Sequence, residues 1–134
     1  MGKIVIRIDW VPNNYGAAPK NENIACVATG ATLEEVKNNM LEALQFHLDG
    51  LKEDGLPIPE EMEGILEPEY ELTTRALLKY TGNYITQKAL SQETGIAEQQ
   101  LSHYASGLRH PRPAIQQRIL KGVQSIREHL AVVL

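Results

Sequence analysis

The glycine punctuation of one stretch constrains this chain more than anything else in it. Residues 84–113 read YITQKALSQETGIAEQQLSHYASGLRHPRP. A helical run from Thr86 to Thr94 places Ala89 and Leu90 one turn above Ile85, and Gly95 ends it, because glycine takes positive φ without a Cβ clash. Ile96 follows as an apolar plug. A second helix starts at about Ala97 and turns Leu101 and either Tyr104 or Ala105 inward. Gly107 closes that helix, and the basic loop Leu108-Arg109-His110-Pro111-Arg112 comes next. Two short helices joined by a tight glycine turn describe a helix-turn-helix, whose second helix can lie in a DNA major groove.

The charge balance supports this only after the chain is divided. Its formal net charge is −4 over 134 residues, an unpromising value for a nucleic-acid binder. Residues 1–72, however, hold 5 Lys+Arg against 14 Asp+Glu, net −9, whereas residues 73–134 hold 8 against 3, net +5. The split suggests two partners, a basic one for the first half and a phosphate backbone for the second. The plainer alternative is that acidic loops keep the first half in solution. The length suits one domain or two very small ones. No apolar run of membrane-spanning length and no secretory leader are present, and the single Cys26 cannot form an internal disulfide; a cytoplasmic location is expected.

The first half reads as α/β. Lys3–Trp10 alternates apolar and polar with β-branched residues, as a half-buried strand does. Pro12-Asn13-Asn14 is a turn, Tyr15–Ala18 a weak return strand, and Ile24–Thr29 a third strand, expected to be central because both its faces are apolar or small; Gly30 breaks it. Thr32-Leu33-Glu34-Glu35 opens the strongest helix, with the spacing of a capping box. Leu33, Val36, Met40, Leu44, His47, Leu48 and Leu51 form its apolar stripe, and Asp54-Gly55 ends it. The two prolines of Pro57-Ile58-Pro59 favour an extended segment through Glu61. Met62–Glu69 reads as linker, and Glu69–Thr73 as a linker or final edge strand. Gly50, Gly55 and Gly64 read as helix ends and turns. In the second half, Thr73 or Thr74 caps a short helix over Arg75–Tyr80 with Leu77 and Leu78 inward. Pro113 suits the first position of a last helix, whose stripe is Ile115, Ile119, Val123, Ile126, Leu130 and Val133.

Two resemblances bear on function. In the glycine-punctuated stretch, Gln87, Leu90, Gly95, Ile96, Leu101, Ser102, Gly107 and Pro111 fall where the phage-repressor-like helix-turn-helix family has its pattern. In the first half, Ala25-Cys26, Gly30-Ala31-Thr32-Leu33-Glu34-Glu35 and Pro57-Ile58-Pro59 resemble the signature of the HicB antitoxin family. The chain departs from that family at Lys20-Asn21-Glu22-Asn23-Ile24, where many members have Asp-Leu-Pro-Gly. The HicB resemblance implies a truncated RNase H-like toxin-binding domain over 1–65, a linker or edge strand over 66–73, and a helix-turn-helix domain over 74–134, an α+β chain as a whole. It further implies an antitoxin without catalysis or cofactor, which occludes a small basic HicA-like mRNA interferase. Such an antitoxin represses its own operon by binding operator DNA as a homo-oligomer, dimer or tetramer. The alternative is a phage-like repressor whose first domain senses or dimerises and has no toxin partner.

The candidate DNA-contacting residues are Gln87, Glu98, Gln99, Gln100, Ser102, His103, Arg109, His110 and Arg112. Glutamines can bond adenine N6 and N7 bidentately, and Arg109, His110 and Arg112 can grip phosphates. Gln87 sits where members of the repressor-like family bond a phosphate. The bland reading of the glutamines is that they are ordinary helix formers. Glu98 repels phosphate unless it accepts from a cytosine amine or serves only its helix N-terminus. A two-metal nuclease needs several acidic residues on strands, and only Asp9 is so placed. Cys26 reads as a small buried thiol, and His47 as a satisfied core or interface histidine.

Overall fold

The computed structural model describes residues 3–134, which form an α+β protein with a four-stranded mixed sheet and five helices. The chain divides between Thr73 and Thr74 into two compact units.

The first unit is built on strand β1 (Val5–Val11), β2 (Asn14–Pro19), β3 (Ala28–Gly30) and β4 (Glu69–Leu72), in sheet order β3-β2-β1-β4. β1 and β2 form an antiparallel hairpin in which Trp10 faces Tyr15 across the ladder. The turn between them uses Asn13 at φ 73°, one of the few side chains that tolerates the left-handed region. The alternation of β1 turns Ile6 and Ile8, both fully buried, toward one face. Helix α1 (Leu33–Glu53) supplies the other layer, burying Val36, Met40, Leu44 and Leu48. Its start is capped from both sides: Glu35 N donates to Thr32 Oγ1 at 3.1 Å, and Ala31 N donates to Glu35 Oε2 at 3.3 Å. The reciprocal bond therefore goes to Ala31, one residue before the cap. Asp54 ends the helix and Gly55 turns the chain at φ 65°.

The third strand differs from the expectation. β3 has three residues, lies at an edge of the sheet, and pairs only with β2. Ile24 is buried but lies in a turn, its N–H bonded to Asn21 O, and Val27 is 74% exposed. Gly30 does not break the strand; it is the strand's buried last residue, and a Cβ there would stand 2.5 Å from Val36 N at the start of α1. The segment after the prolines also departs from an extended linker. A single 3₁₀ turn, Glu60–Met62, swings the Met62 side chain into the core, where it is 1% exposed. Gly50 lies inside α1 rather than at its end. β4 then runs parallel to β1, with Val5 opposite Glu69 and Ile8 opposite Leu72.

The second unit is all helical: α2 (Thr74–Thr81), α3 (Gln87–Thr94), α4 (Glu98–Ser106) and α5 (Pro113–Val133). Its core is Leu78, Leu90, Ile96, Leu101, Tyr104 and Ile119, with Leu77, Ile85, Ala105, Ile115, Val123 and Ile126 packed against it. The stripe of α5 stops being buried before the helix ends: Leu130 and Val133 are exposed. Among the described residues, no helix is long and apolar enough to cross a membrane.

Candidate nucleic-acid interface

The turn between α3 and α4 is fixed by local bonds that its sequence provides. Thr86 caps α3, its Oγ1 accepting from Ala89 N at 3.0 Å. At the other end Gly95 adopts φ 75°, ψ 10° and donates its N–H to Ser91 O at 2.8 Å. That left-handed residue costs glycine no Cβ clash. Three side chains then tie the turn down. Ser91 Oγ donates to Ile96 O at 2.6 Å, Ile96 N donates to Thr94 Oγ1 at 3.2 Å, and Thr94 Oγ1 donates to Leu90 O at 2.7 Å. From α5, Arg118 Nε donates to Thr94 O at 2.8 Å, satisfying a carbonyl that the end of α3 leaves open. Ile96, buried, plugs the angle between the helices.

α4 follows from Ala97, which has the extended backbone of a cap but offers no side-chain acceptor. Leu101 and Tyr104 anchor it to the core. By helical spacing, Glu98, Gln99 and Ser102 share the outer face, and all three are exposed. The adjacent glutamines are not equivalent. Gln100 is half-buried and donates its amide to Tyr104 Oη at 3.1 Å, which commits part of its hydrogen-bonding capacity to the protein. His103 is half-buried, and its Nδ1 is buried without a hydrogen-bond partner. Glu98 stands in the first turn of α4, where a carboxylate is favoured by the positive end of the helix.

Gly107, at φ 80°, ends α4 and leads into the basic loop. Arg109 N bonds back to His103 O at 3.2 Å, and Leu108 N to Ser106 Oγ at 3.3 Å, so the loop is folded against the end of the helix. Arg109, His110 and Arg112 are all exposed, and Arg112 occupies the cap position of α5. Gln87 is exposed in the first turn of α3, on a segment separate from the α4 face. Next to it stands a residue the sequence reading passed over: Lys88, exposed in the same turn and formally positive. Its position beside Gln87 was the available signal. Leu108 stands 69% exposed in the basic loop.

Elsewhere, titratable groups are arranged for structure. Glu93 on α3 accepts from Ser125 Oγ and pairs with His129 Nε2 at 3.4 Å, which together hold its carboxyl below the ordinary range, the Ser125 bond first. Cys26 is half-buried, and burial pushes its thiol up. Lys37 Nζ lies 4.8 Å from the centre of the Tyr70 ring. Among the described residues, no group of three or more His, Cys, Asp or Glu converges as metal ligands would.

No family model matches the chain, and no curated protein or solved structure matches it significantly.

Proposed function

We propose that the helical unit reads operator DNA through the outer face of α4, with Arg109, Arg112, Lys88 and Gln87 on the phosphates. The observation that carries this reading is the Gly95 turn. It sets an anchored helix whose Glu98, Gln99 and Ser102 face outward, beside an exposed basic loop, in a unit of net charge +5. Gln99 is the principal base reader, because its amide is uncommitted to any bond within α4's core contact, unlike that of Gln100. Gln100, Ser102, His103 and His110 complete the contact surface. One recognition helix reads only a few base pairs, so two copies bind two half-sites.

The first unit, read as a truncated RNase H-like domain of the HicB type, is the toxin-binding half. Its net charge of −9 suits a small basic protein. On this reading the chain is an antitoxin that neutralises an mRNA-cleaving partner by covering it and represses the operon encoding both. No reaction is required of the chain itself.

The test is an anisotropy titration of the full chain against the DNA upstream of its own reading frame. Affinity should fall steeply with salt, each neutralised phosphate contributing roughly −0.9 to the slope of log K against log salt. Gln99→Ala should lower affinity for that DNA by about 1–3 kcal/mol, through lost discrimination between sequences. A flat salt response would overturn the DNA reading. Co-expression with any small basic protein encoded beside it tests the antitoxin half.

A further inference from the structure

Helix α5 continues well past its last fully buried residues, Ile119 and Gly122. Beyond them the apolar stripe emerges into solvent, with Leu130 52% and Val133 77% exposed. Together with the turn after α2, this end of α5 forms a groove of about 380 Å³ lined by Tyr84, Ile85, Val123, Ile126, Leu130 and Leu134, among others. Single exposed apolar residues are ordinary, whereas a groove bordered by a continuous apolar helix face marks a contact surface.

The charge pattern says what would cover it. The helical unit carries +5, so two copies repel one another over most of its surface. The end of α5 is the exception. Residues 124–134 contain one formal cation, Arg127, and one formal anion, Glu128, and no other Lys, Arg, Asp or Glu. A symmetric pair of identical surfaces must be self-complementary. Here the apolar stripe of one copy can meet that of another, with each Arg127 near the opposite Glu128. A basic toxin or a nucleic acid would find no matching charge on this face. No residue of α4 lines the groove, and α4 packs on α2 and α3, so pairing through α5 leaves the outer face of α4 open.

We infer that the apolar groove at the end of α5 is the contact between two copies of this chain. The inference deepens the two-copy DNA reading and rests on it for its purpose.

Sedimentation velocity on the full chain without DNA, over a concentration series, tests it. The wild type should associate to a dimer, and Leu130→Glu should weaken that dimer at least tenfold, about 1.4 kcal/mol, with an unchanged thermal melt. Should Leu130→Glu misfold, Val133→Glu, at a more exposed position, gives the same readout. Phe46→Glu, on the exposed side of α1, should leave the dimer intact. A dimer that persists in both α5 variants would overturn the inference while leaving the two-copy reading standing. A wild type that stays monomeric at every concentration would overturn the inference, and one that also binds its DNA as a single copy would remove the two-copy reading together with it. A monomer that binds the apolar dye anilinonaphthalene sulfonate, and loses it in Leu130→Glu, would assign the groove to a small apolar molecule and equally overturn the inference.

Discussion

Gly122 and Thr94 bring α5 and α3 closer than any larger residue at position 122 would allow. A methyl group there would overlap Thr94 Cγ2 and lie 3.4 Å from Leu90 Cδ1. Thr94 cannot readily turn away, because its hydroxyl donates to Leu90 O and accepts from Ile96 N. Alanine is the better helix former by about 1 kcal/mol, yet overpacking of a close contact costs about 1–3 kcal/mol. Gly122→Ala should therefore destabilise the helical unit by up to about 2 kcal/mol, seen as a lower urea midpoint, and should loosen the turn that positions α4.

Met62 should prove to be a core residue of the first unit despite lying after two prolines and among glutamates. Met62→Ala should cost about 2–5 kcal/mol in that unit. The fluorescence of Trp10, the chain's single tryptophan and part of β1, should show the loss as a lower urea midpoint.

Glu93 gives a prediction in pH. The hydrogen bond from Ser125, aided by His129, lowers its pKa from the ordinary value of 4.5 in the folded protein. Above that value the carboxylate is ionised whether the chain is folded or not, and the whole stabilising effect is present. As pH falls below 4.5 through the folded pKa, the unfolded chain takes up the proton first and the effect is lost. Ser125→Ala should make stability less dependent on pH in this acid range, lowering it at neutral pH and leaving it nearly unchanged below the folded pKa, as chemical denaturation at a series of pH values would show.

Lys88→Ala should weaken DNA binding by a similar factor across sequences and reduce the magnitude of the salt slope by about 1, since a phosphate contact carries no base information. If the variant instead changed which sequence is preferred, Lys88 would be a base reader.

The helical unit was legible almost residue for residue, because its boundaries are set by chemistry written locally: the Thr86 cap, Gly95, Gly107 and Pro113. The sheet was less so. The length of β3 depends on how far β2 extends beside it, which no property of Ile24–Val27 announces. Met62 was hidden because a 3₁₀ turn too short to show periodicity carries it inward. In the candidate site, the exposed face of α4 follows from helical spacing, whereas the Gln100–Tyr104 bond depends on a rotamer. The exposed end of α5 was hidden for a different reason: an apolar stripe in a sequence does not say whether it meets its own chain or another.

The parallel pairing of β1 with β4 has a consequence for the order in which the protein takes shape on the ribosome. β1 is the first strand of its unit to be made, but one of its two neighbours is the last strand of the unit, Glu69–Leu72. The first unit can close its sheet only after the chain has been made through Leu72, and contacts between such distant segments form slowly. The helical unit pairs α2 with α4 and α3 with α5, which lie closer in sequence than β1 and β4, so its contacts close shorter stretches of chain. The acidic unit thus begins synthesis first, yet the helical one can catch it up, and the edge of β1 stays open to other strands until β4 arrives.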